Sequence, residues 1–85
     1  MGKRRKARGR KSRFSRHGFL MRLRELCGDR SQIELEGLTG INHETMRRQL
    51  RGTSAPTVEQ TARLCTTFGA SADWLLFGRG RPPRA

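Results

Sequence analysis

An all-α domain of five short helices is the fold this sequence predicts, and three observations predict it. Apolar residues recur at helical spacing, as in Phe19, Leu20, Leu23, Leu26 and Cys27. Ser31, Asn42, Thr57 and Ser71 stand where helix N-caps belong, and Gly28, Gly40, Gly52, Gly69 and Gly78 stand where helices stop. No segment requires a strand, and no internal repeat appears.

The first helix runs from 15 or 16 to 27, with Arg22, Arg24 and Glu25 on its polar face, and Gly28 ends it. The second opens at Ser31, where Glu34 three residues on completes a capping box that satisfies the first orphan amides. Gly40 supplies the backbone freedom for a tight turn. Asn42 then caps a third helix over 43–51, which stops at Gly52 and turns Met46 and Leu50 inward. Pro56 and Thr57 announce the fourth, with Thr57 and Gln60 as a second capping box. It carries Val58, Ala62, Leu64, Cys65 and Phe68 to Gly69. Ser71 caps a fifth helix over 72–77, with Asp73 in its first turn and the cluster Trp74, Leu75, Leu76 and Phe77. Gly78, Gly80, Pro82 and Pro83 end regular structure. The expected core is Leu23, Leu35, Ile41, Met46, Leu50, Leu64, Phe68 and Trp74.

Charge divides the 85 residues unevenly. Nine Lys or Arg fall in residues 1–16 with no acid among them, and three more arginines lie in 79–85. Residues 17–78 hold seven arginines against all seven acids, so the +12 lives in the two ends. A run such as KRRKARGRK repels itself and buries no apolar surface. The expected organisation is a basic disordered arm over 1–14, a folded domain over 15–78 and a basic disordered tail over 79–85. A folded part of roughly 60 residues buries only about 60% of its chain surface, so its stability is marginal.

Several function classes are excluded. Cys27 and Cys65 form no disulfide framework, match no zinc spacing with His17 and His43, and read as two small buried thiols. The basic N-terminus is not followed by an uninterrupted apolar stretch and a cleavage site, because Arg22, Arg24 and Glu25 break 19–27. No segment is long and apolar enough to cross a bilayer. With no nucleophile and base pair, no metal cluster and no phosphate-cradling glycine loop, catalysis is not expected. Neither is a cofactor, a metal or a small-molecule ligand. The expected setting is cytoplasmic, on a bacterial nucleoid.

The segment SQIELEGLTGINHETMRRQLRG, 31–52, points instead to DNA. A short helix, a glycine turn and a second helix carrying arginines on its outer face is how proteins place side chains in the major groove.

Over 19–78 the chain resembles the lambda-repressor-like, Cro and XRE family of helix-turn-helix DNA-binding domains. Ser31 and Gln32 occupy the family's opening of the second helix, Gly40 its turn, and Arg51 and Gly52 the close of the recognition helix. Pro56 and Thr57 match the start of the fourth helix, and SADWLLFGRG, 71–80, is similar to the close of the DNA-binding domain in phage and prophage repressors. One departure is Glu36, which stands where the family places a small residue between the second and third helices. Gly37 beside it letting the helices approach, or a pair between Glu36 and an arginine such as Arg47, are the two ways to accommodate it. The other departure is that long phage repressors continue into a self-cleaving, dimerising domain, whereas this chain stops at Ala85; a short regulator is expected.

The resemblance implies roles. His43, Glu44, Arg47 and Arg48 match base-reading places: arginine suits the O6 and N7 of guanine, and Glu44 the amine of cytosine. A solvated polar face is the alternative. Gln32 and Asn42 match phosphate contacts, joined by Thr45, Arg51, Thr53 and Ser54; ordinary capping is compatible with both. Lys3, Arg4, Arg5, Lys6, Arg8, Arg10, Lys11 and Arg13 form the arm. Extended at about 3.3 Å per residue it reaches roughly 46 Å, against about 34 Å for one turn of DNA, so it is long enough to follow a groove. Six neutralised phosphates would give a salt slope of about −5. A solubilising tail or a nuclear address is the alternative. Trp74, Leu75, Leu76 and Phe77 are candidates for a homodimer contact that would pair two half-sites.

Together these imply a sequence-specific double-stranded DNA-binding transcriptional regulator, a dimeric repressor of phage or bacterial type. Two rivals stand beside it: an architectural DNA binder of low sequence specificity, and an antitoxin-like or phage protein-interaction module.

Overall fold

The computed structural model describes residues 14–83. Five helices follow in order: α1 (Arg16–Cys27), α2 (Gln32–Thr39), α3 (His43–Arg51), α4 (Val58–Phe68) and α5 (Ala72–Phe77). No strand occurs among the described residues. Each helix starts on the side-chain oxygen of Ser15, Ser31, Asn42, Thr57 or Ser71, which accepts a backbone N–H two or three residues on. At Thr57 and Gln60 the bond is reciprocal, a complete capping box. At Ser31 the hydroxyl accepts Glu34 N–H at 3.1 Å, the forward half of the expected box.

One core joins the helices. Phe19, Leu23, Leu26 and Cys27 from α1 meet Leu35, Ile41, Met46, Leu64, Cys65, Ala70, Trp74 and Leu75. Leu50 and Phe68, expected inside, pack partly buried against this cluster. The guanidinium of Arg30 covers Phe68, 5.0 Å from the ring centroid. α2 packs chiefly on α3, α1 bridges α5 and α3, and α4 backs α2 and α5. Burial holds the Cys27 thiol up at about 11 against a small opposing pull from Arg30, and burial raises Cys65 as well. Both thiols are free and buried. The folded protein is therefore expected to react slowly with a thiol reagent at about pH 8 and fully once denatured, which absorbance of the released chromophore measures.

Three placements differ from what the sequence suggested. First, the polar face of α1 is not simply solvated. Arg22 is half-buried, its Nε and Nη2 donating to the carbonyls of Leu75 and Leu76 at 2.9 and 3.0 Å. Arg24 Nε donates to Leu50 O at 2.9 Å. Two cations on α1 thus satisfy the orphan carbonyls at the C-terminal ends of α5 and α3, where the helix dipole also favours positive charge.

Second, α3 buries a polar residue. Gln49 is 2% exposed and donates from Nε2 to Gln60 Oε1 at 2.8 Å. That same oxygen accepts Thr57 N–H at 3.0 Å, so the capping box of α4 fixes which way the Gln49 amide points.

Third, the described part of the expected tail, 79–83, hydrogen-bonds back onto the start of α5. Arg81 O accepts Ser71 N–H at 2.9 Å, Arg81 N–H donates to Ser71 Oγ at 3.1 Å, and Arg79 N–H donates to Asp73 O at 3.3 Å. The chain folds back over the start of α5 because Ser71 Oγ, already accepting Trp74 N–H at 3.0 Å, has a second lone pair to offer. Gly80 makes this return possible: its φ is +92°, and a Cβ there would lie 2.6 Å from Ser71 Oγ. Gly80→Ala is expected to cost about 1–2 kcal/mol in urea unfolding. Gly37→Ala is expected to act in the opposite sense, gaining about 0.5–1 kcal/mol, because its Cβ would meet nothing within 4 Å in the middle of α2.

Candidate nucleic-acid interface

The turn between α2 and α3 is built on Gly40, which takes φ +78° and returns its N–H to Glu36 O at 2.8 Å. Thr39 locks it from inside: its hydroxyl donates to Leu35 O at 2.8 Å and accepts Ile41 N–H at 3.1 Å. Buried Thr39 and Ile41 thereby anchor the turn in the core and leave Asn42 to cap α3.

Glu36 resolves differently from either expected arrangement. It does not pair with Arg47, and Gly37, facing open space, is not a point of close approach. Instead Glu36 Oε1 accepts the backbone N–H of His43 at 3.2 Å and sits 2.8 Å from His43 Nδ1. The carboxylate reaches across the turn to a free amide in the first turn of α3, where the helix dipole favours a negative charge. The side-chain bond from His43, reinforced by its amide, holds the Glu36 carboxyl below its ordinary value.

Arg47 takes Glu44 as its partner, through Nη2 at 2.7 Å and Nε at 3.2 Å to one oxygen, and this bond lowers the Glu44 carboxyl. Arg48 is exposed, while its carbonyl accepts both the N–H and the hydroxyl of Thr53 at 3.0 Å. His43, Glu44, Arg47 and Arg48 therefore share the outward side of α3, opposite buried Met46 and Gln49.

Of the phosphate candidates, Gln32, Asn42, Arg51 and Thr53 are exposed, and Thr45 and Ser54 are half-buried. Asn42 and Thr53 are both engaged in local hydrogen bonds that shape the ends of α3. The arm candidates Lys3, Arg4, Arg5, Lys6, Arg8, Arg10, Lys11 and Arg13 lie outside the described residues. Arg16 was not singled out by the sequence, yet its Nη2 lies 3.4 Å from Gly52 O, which sets a cation beside the loop after α3. Only its place at the edge of a basic run hinted at this.

The dimer candidates divide. Trp74 and Leu75 are buried at 8% and 0% exposure and close the monomer's own core, so neither is free to meet a second copy. Leu76 is half-buried and Phe77 is 40% exposed, leaving these two on the surface. No group of three or more metal-ligating side chains occurs among the described residues, and no helix there is long and apolar enough to cross a membrane.

These elements define a class: a small all-α domain of five helices in which a glycine turn sets α3 with a charged face outward. The chain belongs to the BetR domain family, whose model matches residues 19–84. Comparison with curated proteins and with solved structures finds no match.

Proposed function

We propose that the protein is a sequence-specific double-stranded DNA-binding regulator, a repressor of the lambda-repressor-like helix-turn-helix type that reads the major groove with α3. The observation that carries this reading is the outward face of α3. His43, Glu44, Arg47 and Arg48 stand together on a helix seated on α2 through a tight turn, none of them needed by the core. Arginine offers a bidentate donor pair to guanine, and Glu44 an acceptor to cytosine. Asn42 and Gln32 open α3 and α2 where helix N-termini favour phosphate, and Arg16 with Arg51 lies toward the other end of α3. The N-terminal arm adds hold rather than address, and pairing through Phe77 and Leu76 would join two half-sites.

Selection of bound sites from random DNA tests this, using the full chain and a chain lacking residues 1–13. Both are expected to return the same central motif, with weaker binding and a shallower salt slope for the truncated chain. If neither returns a motif, the specific-regulator reading fails.

A protein-interaction role is favoured by one feature, a hollow of about 350 Å³ lined by Phe14, Phe19, Pro56, Val58 and Leu76. Val58 at its rim is 89% exposed. That role would gain if alanine at both Arg47 and Arg48 left cellular activity unchanged.

A further inference from the structure

We infer that Glu36 sets the hydrogen-bonding sign of His43, so that the domain selects a base with an exocyclic amino group, adenine or cytosine, where His43 meets the major groove. This rests on the reading of α3 as the DNA-facing helix.

The argument is one of proton placement. Glu36 Oε1 lies 2.8 Å from His43 Nδ1 and also accepts His43 N–H at 3.2 Å. The carboxyl of Glu36 is held below its ordinary value, so it is ionised at neutral pH and can only accept. An Nδ1 lone pair facing that oxygen at 2.8 Å would be repelled, so Nδ1 carries the proton. In the neutral ring Nε2 is then the acceptor, as the partner of one ring nitrogen fixes the state of the other. Nε2 has no partner among the described residues, and the side chain is 43% exposed at the start of α3. Glu36 Oε1 also accepts the backbone N–H of His43, so one carboxylate contacts both the ring and the start of α3.

An acceptor in the major groove finds its match in adenine N6 or cytosine N4. Guanine presents N7 and O6 there, and thymine O4, all acceptors, and both are rejected. Glu36 is thus a positioning residue, acting on DNA through His43. Had the ring been free to take the other tautomer, Nε2–H would donate and the preference would invert toward guanine or thymine.

Two measurements at about pH 8, above the usual histidine range, test this. Long-range proton–nitrogen NMR of the free chain reads the ring directly. The expected state is Nδ1–H in the wild type and in Glu36→Gln, whose amide oxygen still accepts, with Nε2–H gaining in Glu36→Ala. Site selection from random DNA reads the consequence. Wild type and Glu36→Gln are expected to prefer adenine or cytosine at one position by about three- to tenfold in affinity. Glu36→Ala should move that position toward guanine or thymine, and His43→Ala should flatten it with the rest of the motif unchanged. Nε2–H in the wild type, or the same column in Glu36→Ala as in wild type, overturns the assignment while the regulator reading stands. A wild-type chain with the expected tautomer and no motif overturns the regulator reading, and the base assignment falls with it.

Discussion

Leu35→Ala is expected to remove about 2–5 kcal/mol of stability, whereas Ile33→Ala on the same helix changes it by no more than about 0.5 kcal/mol. Both lie on α2 and both delete aliphatic carbon from an eight-residue helix. The difference is where the carbon sits: Leu35 is 0% exposed and Ile33 64%. Apart from Leu35, the residue α2 buries is Thr39, whose contribution is the hydrogen bonding of the turn. Leu35 is therefore the one apolar side chain α2 buries, and a cavity there cannot be filled by a neighbour on the same helix. A domain of this size has about 3–9 kcal/mol in hand, so the substitution consumes much or all of it. Urea unfolding followed by circular dichroism gives the comparison, and equal midpoints for the two variants would contradict this account of how α2 is held.

The helix boundaries were legible in the sequence because the signals that fix them are local. A serine or threonine whose hydroxyl reaches an amide three residues on is decided within one turn, as at Ser31, Thr57 and Ser71. Core membership was legible where an apolar residue fell on a helical stripe, as at Leu23, Leu35, Met46 and Leu64. What escaped was every contact that links polar groups far apart in the chain. Gln49 reads as part of a charged helix, yet it is buried, its Nε2 donating to Gln60 on α4 eleven residues away while its Oε1 has no partner among the described residues. Arg22 reads as surface, yet it closes the end of a helix more than fifty residues on. Glu36 reads as unusual, yet neither arrangement open to it in the sequence, close approach at Gly37 or a pair with an arginine such as Arg47, is the one adopted: His43 lies directly across the turn and meets the carboxylate with both its backbone N–H and its ring Nδ1. Ser71 reads as a cap, and nothing in its neighbourhood discloses that its second lone pair holds Arg81. Such pairings depend on tertiary distance, which periodicity does not encode.

Arg47→Ala and Arg48→Ala together should leave the fold intact and, with α3 as the proposed DNA-reading helix, abolish specific DNA binding. The fold is spared because neither side chain supports it. The pair between Arg47 and Glu44 is exposed on both sides, at 43% and 52%, and pairs of that kind contribute little to stability. Arg48 serves the loop after α3 through its carbonyl, which alanine keeps. On DNA each arginine is expected to carry about 1–3 kcal/mol of discrimination if it reads a guanine, so each single variant should bind its selected site about ten- to a hundredfold more weakly. The two singles should not behave alike. Arg47 must leave Glu44, or bring Glu44 with it to a neighbouring cytosine, so Arg47→Ala frees a carboxylate that faces phosphate and base unpaired. Its loss should therefore exceed that of Arg48→Ala, and Glu44→Ala should recover part of it in the double variant. Titration of the selected site and of random DNA at one fixed salt concentration separates the effects: the contribution proposed for the arm, being electrostatic, would stay in both curves, while the gap between them closes. Near-wild-type discrimination in the double arginine variant, with an unchanged unfolding midpoint, would place base reading somewhere other than α3.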